Sequence, residues 1–295
     1  MILKFNNQWL KTPTHVLGYK EDPYNPLNLP SHVIRCKFKA GYTPTEGDTQ
    51  TLVDAEQNIW DIYKASDDWN NLLSRTYDHS HEDVLLEVLG ANTTGVTDMH
   101  HLFFYNTALS KVALFDTSSV TLFFYMFCNT AIEEAPLYDT SNGSIQGMFN
   151  RCSKLKRVPL YDTSSTTSFS QLFNNCSALE YVPNFDTSNI TDMYYAFFGC
   201  SSLKSLPLFD TSKVTTIERM CDGTGLTNIP DFDVRSVTNA NYAFAFSGNV
   251  NSGITNLYNK LSALSDVSHE CTFRLTGVNT STGAAELAQI PDDWK

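Results

Sequence analysis

The sequence lacks the features of a membrane-spanning or nucleic-acid-binding chain. Its longest strictly apolar run, Leu122 to Cys128, has seven residues, whereas a membrane-spanning helix needs roughly 18 or more. Twenty basic residues against 32 acidic ones give a formal net charge of −12, which repels phosphate backbones and anionic lipid surfaces. We therefore expect neither membrane insertion nor a nucleic-acid partner.

The sequence also lacks the motifs of common catalytic and cofactor sites. It contains no Gly-x-Ser-x-Gly nucleophile motif and no glycine-rich phosphate loop. The segment His79 to Asp83 offers metal-ligating residue types, but without the spacing of a helix or strand, which favours a solvated loop. The pair His100 and His101 is a weaker candidate for a ligand role. Glu133 and Glu134 are typical of solvated surface, with half of a glycosidase pair as the alternative. We predict no enzyme activity, no cofactor and no metal site.

The amino-terminal segment lacks the apolar stretch of a secretory signal, because Asn6, Asn7 and Gln8 interrupt it. We expect no export by a signal peptide. Residues 1–30 contain four prolines, which favours an extended arm over a helix. This arm either folds back over the first repeat or docks on another subunit. Its candidate attachment residues are Trp9, Tyr19 and Tyr24.

Cysteine spacing reveals an internal repeat. The chain has seven cysteines, an odd number that cannot pair completely within one chain. Cys152, Cys176 and Cys200 follow one another at intervals of 24 residues. Shorter copies carry Thr in the same neighbourhood, so we interpret this position as small and buried, with structural rather than reactive thiols.

A unit of 23 or 24 residues recurs along most of the chain. Each copy has an Asp preceded by an aromatic residue, and a Leu or Ile seven residues before that Asp. The Asp positions are Asp116, Asp139, Asp162, Asp186, Asp210 and Asp233, and the leucines of the long copies are Leu155, Leu179 and Leu203. Because Thr-Ser follows most of these Asp residues, we interpret each carboxylate as accepting the next two amide hydrogens, without a calcium ion.

Each copy is predicted to fold as helix, strand and turn. Ile190, Met193 and Phe197 recur at three- and four-residue spacing, which favours a short helix. The segment Leu203 to Leu206, followed by Pro207, favours a brief strand that ends at a turn. One unit cannot cover its own apolar stripe, so neighbouring copies must stack. The sequence therefore predicts an α/β repeat solenoid, a leucine-rich-repeat-like right-handed stack of 23–24-residue coils with capped ends.

The repeated string Phe-x-x-Cys-Ser-x-Leu, followed by Pro-x-Phe-Asp-Thr-Ser-x-Val/Ile-Thr-Asp-Met, resembles the BspA-type repeat of bacterial surface proteins, a relative of leucine-rich repeats. The resemblance covers roughly residues 57 to 250. The segment Thr282 to Lys295 resembles the endings of repeat proteins in tailed phages of gut bacteria, the crAss-like group. The first resemblance implies surface exposure, and the second implies a virion.

The repeat divides the chain into four predicted parts: an extended arm (1–30), a β-structured amino-terminal cap (31–56), the repeats (57–253) and a carboxy-terminal cap (254–295). In the first cap, Ile34 to Phe38 alternates apolar and basic residues, which predicts a half-buried strand with Thr49 to Ala55 as its partner. Ile59 to Ile62 is interpreted as part of a degenerate first coil. Leu257, Leu261 and Leu264 have helical spacing and predict a helix in the last part.

These observations favour a non-enzymatic structural or adhesive protein, exposed on a phage virion as a head fibre, capsid decoration or tail protein. Its expected partners are other virion proteins, reached through the arm, and a host surface glycan or protein. Fibre-like proteins are commonly symmetric, so we expect a homo-oligomer, a trimer by analogy. The alternatives are a bacterial cell-surface adhesin and a glycan-binding or glycan-cleaving module.

Overall fold

The computed structural model describes residues 28–74, 84–245 and 252–263, the backbone of residues 4–5 and 8–9, and residues 285, 288 and 289. Its elements are β1 (Lys4–Phe5), β2 (Gln8–Trp9), β3 (Val33–Phe38), β4 (Thr49–Asp54), β5 (Ile59–Tyr63), β6 (Leu85–Asn92), β7 (Lys111–Val112) and α1 (Ile254–Ser262). β1 and β2 pair antiparallel, which places the backbone of Trp9 in a short hairpin. The candidate attachment residues Tyr19 and Tyr24 lie outside the described residues.

A five-stranded mixed sheet precedes the repeats, with the order β4-β5-β3-β6-β7. β6 and β7 are parallel, and the other neighbours are antiparallel. The half-buried strand predicted from the alternation in β3 is confirmed, because Ile34, Cys36 and Phe38 point into the core. Across β3 and β5, the Arg35 guanidinium donates two hydrogen bonds of 2.6 and 2.7 Å to the Asp61 carboxylate.

The strand partner predicted for β3 is wrong, because β5 lies between β3 and β4. The short connection from Asp54 to Ile59 makes β4 and β5 a local hairpin, and Asp54 Oδ1 accepts the amides of Glu56 and Gln57 at 2.9 and 3.0 Å. Such an Asx turn favours pairing between neighbours in sequence. Ile59–Ile62, interpreted from sequence as part of a degenerate coil, therefore belongs to the sheet.

The predicted α/β repeat solenoid is wrong. Within the described residues the fold is mostly sheet, organised around one mixed five-stranded sheet, and α1 is its single helix. Residues 93–245, called here the repeat region, contain neither the predicted short helices nor strands other than β7. They consist of turns, and isolated parallel bridges such as Asp98↔Leu122 and Asp192↔Thr216 connect neighbouring copies.

Backbone hydrogen bonding explains why the helix prediction failed. In an α-helix each amide bonds the carbonyl four residues earlier. Here the amides of Met193, Tyr195 and Phe197 instead donate to the next copy, to the carbonyls of Thr216, Glu218 and Met220, at 3.0, 2.9 and 2.8 Å. Of the intervening amides, that of Ala196 bonds three residues back, to the carbonyl of Met193, and that of Tyr194 bonds Asp192 Oδ1 at 2.8 Å. The apolar spacing of three and four residues therefore comes from consecutive turns.

Stacked phenylalanines form the core of the repeat region. Neighbouring rings in this stack have centroids 5.3 to 5.8 Å apart, and the stack contains Phe103, Phe127, Phe149, Phe173 and Phe197. In four copies the aromatic residue before the repeat Asp packs beside this stack, as Tyr161 does on Phe149 with centroids 6.1 Å apart. Aromatic pairs of this kind contribute about 0.5–1.5 kcal/mol each beyond their burial. The stack fixes the spacing of successive copies.

Helix α1 follows the last described copy. Its residues Ile254, Leu257 and Leu261 are buried, which confirms the helix predicted from leucine spacing. Lys260 Nζ binds the carboxylate of Asp231 and donates to the carbonyl of Phe232 at 2.8 Å. In the described part of the chain, the helical residues form no segment long and apolar enough to cross a lipid bilayer.

Candidate ligand-binding groove

The repeated Asp residues serve the backbone. Their Oδ1 atoms accept the amide of the residue two positions later at 2.9 to 3.1 Å, in the six copies that begin at Asp116, Asp139, Asp162, Asp186, Asp210 and Asp233. The residue between them, Thr in five copies and Val234 in the last, does not supply its amide in these contacts. In four copies the Thr hydroxyl donates to the next copy instead, as Thr163 Oγ1 does to the carbonyl of Asp186 at 2.7 Å. Thr187 Oγ1 has no hydrogen-bond partner among the described residues.

The repeated cysteines also make structural contacts. Cys152, Cys176 and Cys200 are fully buried, and their Sγ atoms donate to phenylalanine carbonyls of the preceding copy at 2.9, 3.0 and 3.0 Å. Burial raises the pKa of the Cys152 thiol from 9.0 to about 11 and raises the pKa of Cys176 and Cys200 as well. These thiols stay protonated at neutral pH. Leu155, Leu179 and Leu203 are buried in the same core.

Of the histidines that the sequence offers as ligands, the structure describes His100 and His101. His79 to Asp83 lies outside the described residues. His100 Nδ1 lies 2.7 Å from Asp98 Oδ1, and the His101 ring packs on Phe104 with centroids 4.7 Å apart. Over the residues that the structure describes, no group of three or more His, Cys, Asp or Glu side chains is placed to hold a metal ion.

Two columns of residues with positive φ run through the repeat region. The first column has φ from 49° to 62° and contains His101, Tyr125, Gly147, Gln171, Tyr195, Arg219 and Tyr242. The second, four residues later in each copy, has φ from 57° to 72° and contains Tyr105, Asn129, Arg151, Asn175, Gly199 and Gly223. Column amides bond the next copy, as Tyr125 N does to the carbonyl of Gln146 at 3.1 Å. The left-handed conformation is therefore part of how the copies are joined.

Side chains in these columns are held at an energetic cost. The left-handed region suits glycine and asparagine, whereas other L-residues lose about 1–2 kcal/mol there. Glycine or asparagine occupies four of the six second-column positions, but Tyr105 and Arg151 occupy the other two. The first column is mostly aromatic or cationic. Clustered strain of this kind is typical of functional surfaces.

Part of each column lines a groove of about 540 Å³: His101, Tyr125 and Gln171 of the first column, and Tyr105 and Arg151 of the second. One wall is aromatic: the His101 ring lies 4.7 Å from that of Phe104 and 5.6 Å from that of Tyr125, between centroids. Between Tyr125 and Gln171, the first column has a position without a side chain, Gly147. A Cβ on Gly147 would lie 2.5 Å from Cε1 of Tyr125, so the Tyr125 ring occupies the space that a larger residue would fill.

Other residues that line the groove are polar. Gln171 Oε1 accepts hydrogen bonds from Asn150 Nδ2 at 2.8 Å and from Asn174 Nδ2 at 3.4 Å. The Arg151 side chain reaches two copies back, and its guanidinium donates to the Tyr105 hydroxyl at 3.2 Å. No carboxylate lines this groove among the residues described.

The histidine in the groove is uncharged at neutral pH. Burial lowers the pKa of His101 below its ordinary 6.5, and the neighbouring His100 lowers it further, against a smaller opposing effect of Asp98. Arg151 is therefore the cationic side chain of the groove. In the described part of the chain it has no carboxylate partner.

A second arginine of the columns shows the contrasting arrangement. Arg219 lies over the rings of Tyr242 and Tyr195, at 4.6 and 5.8 Å from their centroids, and pairs with the Asp222 carboxylate at 2.8 Å. Its charge is thus compensated within the protein, and that of Arg151 is not. The same fold holds one arginine in a structural pair and leaves the other facing the groove.

Sequence reasoning did not find the groove. Its residues differ in type from copy to copy, so they carry no polarity pattern. The available signal was the recurrence of Gly and Asn at one position, at Asn129, Asn175, Gly199 and Gly223, which indicates positive φ. Only His101 had been considered as a ligand, and the structure places it in the groove as a neutral ring.

Comparison with protein families matches residues 71–179 and 143–258 to the family described as "Mycoplasma protein of unknown function, DUF285". No curated protein and no solved structure matches the chain. The two overlapping matches together span residues 71–258, well over half of the 295 residues, and cover the groove and most of the repeats. The chain belongs to the DUF285 family.

Proposed function

We propose that this chain is a non-enzymatic structural and adhesive protein that presents the groove for binding to a host glycan or protein. The observation that carries the proposal is the presence of aromatic and cationic side chains at strained positive-φ positions in one groove, at His101, Tyr105, Tyr125 and Arg151. Binding sites are commonly concave and combine apolar walls with a few convergent polar groups. The stacked phenylalanine core beneath holds these groups in place.

The location proposed for the protein is the surface of a phage virion, as a head fibre, capsid decoration or tail protein, with a bacterial cell surface as the alternative. The support is the resemblance of the repeats and of the segment Thr282 to Lys295 to such proteins. Other virion proteins would be reached through residues 1–30, and the protein would be a homo-oligomer. An antibody against the chain, applied to purified particles and to bacterial envelopes in immunogold electron microscopy, tests this location.

Labelling of particles is the expected result, and removal of residues 1–30 is expected to abolish incorporation. Labelling confined to envelopes would favour the cell-surface alternative. Full incorporation of the truncated chain would contradict the attachment role of the arm.

Adhesion is tested separately with the purified, fluorescently labelled chain on intact bacterial cells. We expect saturable binding that weakens when the groove residue Tyr125 is replaced by Gln, the residue of the same column at position 171. Tyr181→Gln is the matched control, since Tyr181 is 58% exposed and lies outside the groove. Equal binding by both variants, or the absence of saturable binding, would refute an adhesive groove. Release of reducing sugars from the cells would favour the glycan-cleaving alternative.

A further inference from the structure

We infer that the groove recognises an acidic saccharide, a short glycan in which a sugar ring carries a carboxylate. The inference rests on the proposed adhesive function and specifies its ligand. It follows from the cation Arg151, which is the single cationic residue of the described lining, from the aromatic wall and the amide groups, and from the complete use of the backbone amides in this part of the fold.

Arg151 supplies the carboxylate-binding group. Its side chain is exposed, and the hydrogen bond to the Tyr105 hydroxyl occupies one terminal nitrogen of the guanidinium. The remaining N–H groups form the planar fork that binds a carboxylate through two parallel hydrogen bonds. Equivalent positions in neighbouring copies hold Asn129 and Asn175, which the backbone accommodates more easily. An arginine at this strained position is thus explained by its charge.

The other walls match the rest of a sugar. Aromatic rings such as His101 and Tyr125 offer the electron-rich faces on which the C–H side of a pyranose packs. Gln171 Oε1 is occupied by two asparagine amides, which leaves its Nε2 group to donate to a ligand hydroxyl. Asn150 Oδ1 is an acceptor on the same wall. Apolar faces next to paired donors and acceptors suit a ligand with both C–H faces and hydroxyl groups.

The geometry disfavours an acidic peptide. Recognition of an extended peptide usually relies on main-chain hydrogen bonds from a free strand edge. In the groove, the amides of Tyr105, Tyr125 and Arg151 are already bonded to the next copy, at 2.8, 3.1 and 2.6 Å. The amide of Gln171 is bonded in the same way, to the carbonyl of Tyr194 at 2.8 Å. The side chains are therefore the groups that remain for recognition.

A nucleic acid is disfavoured by charge. Affinity for nucleic acid depends on several cations that each neutralise a phosphate. Among the described residues that line it, the groove has one cation, in a chain with a formal net charge of −12. A single carboxylate matches that single cation.

Isothermal titration of the full chain with defined oligosaccharides tests the inference. The acidic probes are sialyllactose and tri-galacturonic acid, which distinguish a sialic acid from a uronic acid, and the neutral probes are lactose and maltotriose. We expect the chain to bind one acidic probe at least tenfold more tightly than the neutral probes. The Arg151→Asn variant should bind that probe at least tenfold more weakly than the wild type. The control Arg157→Asn removes the same charge from an exposed arginine outside the groove and should bind within twofold of the wild type.

Equal affinity for acidic and neutral probes, no binding to any probe, or an unchanged affinity of Arg151→Asn would each overturn the inference. A thermal melt of each variant verifies folding. Cell adhesion that persists in the absence of saccharide binding would leave the adhesive function in place while removing this ligand. Loss of both would remove the adhesive function as well.

Discussion

At the scale of single residues, Gly147 leaves room for the ring of Tyr125, which lines the groove. Its φ is 62°, and an added Cβ would lie 2.5 Å from the Tyr125 ring. We expect Gly147→Ala to lower the free energy of unfolding by about 1–3 kcal/mol, because backbone strain and a displaced ring both contribute. Chemical denaturation monitored by circular dichroism measures this change.

A second glycine separates the two contributions. Gly41 has a φ of 83°, but a Cβ there would meet no atom within 4 Å. Gly41→Ala therefore reports the cost of backbone strain alone, and we expect it to be milder than Gly147→Ala. Equal losses of unfolding free energy in the two variants would show that the Tyr125 ring moves aside without an energetic cost.

We expect Arg151 to lower the stability of the fold while it increases the affinity for the ligand. Replacement by Asn places a residue that tolerates positive φ at a position with φ of 60°. We expect Arg151→Asn to raise the free energy of unfolding by roughly 0.5–1 kcal/mol. The same variant should bind acidic sugars more weakly, so its melting temperature and its affinity should change in opposite directions. A lower melting temperature would show that the Arg151 side chain stabilises the fold.

The buried cysteines predict a loss of stability at alkaline pH. Burial raises the pKa of Cys152 from 9.0 to about 11, and the same cause raises the pKa of Cys176. Above about pH 9 the unfolded chain releases these protons while the folded chain retains them, so the free energy of unfolding falls as the pH rises through the folded pKa. Urea denaturation between pH 7 and pH 10.5 measures the slope. Cys152→Thr, which introduces the residue found in the neighbouring copy at Thr130, should make that slope shallower.

At the scale of the repeated element, the threonine of each copy allows a matched comparison. Thr163 Oγ1 donates to the carbonyl of Asp186 at 2.7 Å, whereas the equally buried Thr187 Oγ1 has no hydrogen-bond partner among the described residues. We expect Thr163→Val to lower the free energy of unfolding by about 1 kcal/mol, because the carbonyl of Asp186 loses its donor. Thr187→Val should be neutral or stabilising. Equal effects would show that the hydrogen bonds of these Thr hydroxyls contribute little to stability.

The sequence predicts the repeat unit and its buried positions better than its backbone. The interval between Cys152, Cys176 and Cys200 places them in equivalent buried contacts, and apolar alternation correctly predicts β3. The helix and strand predicted for each copy are wrong, because spacings of three and four residues arise equally from consecutive turns with positive φ.

The pairing of β5 with distant strands and the groove could not be predicted from the sequence, for a related reason. β5 was assigned to a coil, since nothing in its own residues indicates that it pairs on both sides, with β3 and with β4. In the groove, Tyr125 and Arg151 adopt a conformation that their residue types disfavour. Backbone propensities therefore disfavour the conformations that these groove residues adopt in the structure.

At the scale of the whole molecule, α1 protects one end of the repeats. Leu257 is 2% exposed and belongs to the same core as the last copies. We expect Leu257→Asp to expose that apolar end and to cause self-association, since a buried charge without a partner opposes docking of the helix. Size-exclusion chromatography with light scattering detects this change. The control Asn259→Asp places the same charge on the exposed side of α1, and aggregation of that variant too would implicate charge alone.

The copies are joined through backbone groups of the two columns. The outward side chains of these columns therefore contribute little to joining the copies. Tyr, His, Gln, Arg and Gly all occupy the first column in a single chain. Such an arrangement permits new binding specificities to evolve, or to be engineered, by exchange of the outward side chains on an unchanged backbone. Glycine is the residue of this column that presents no side chain.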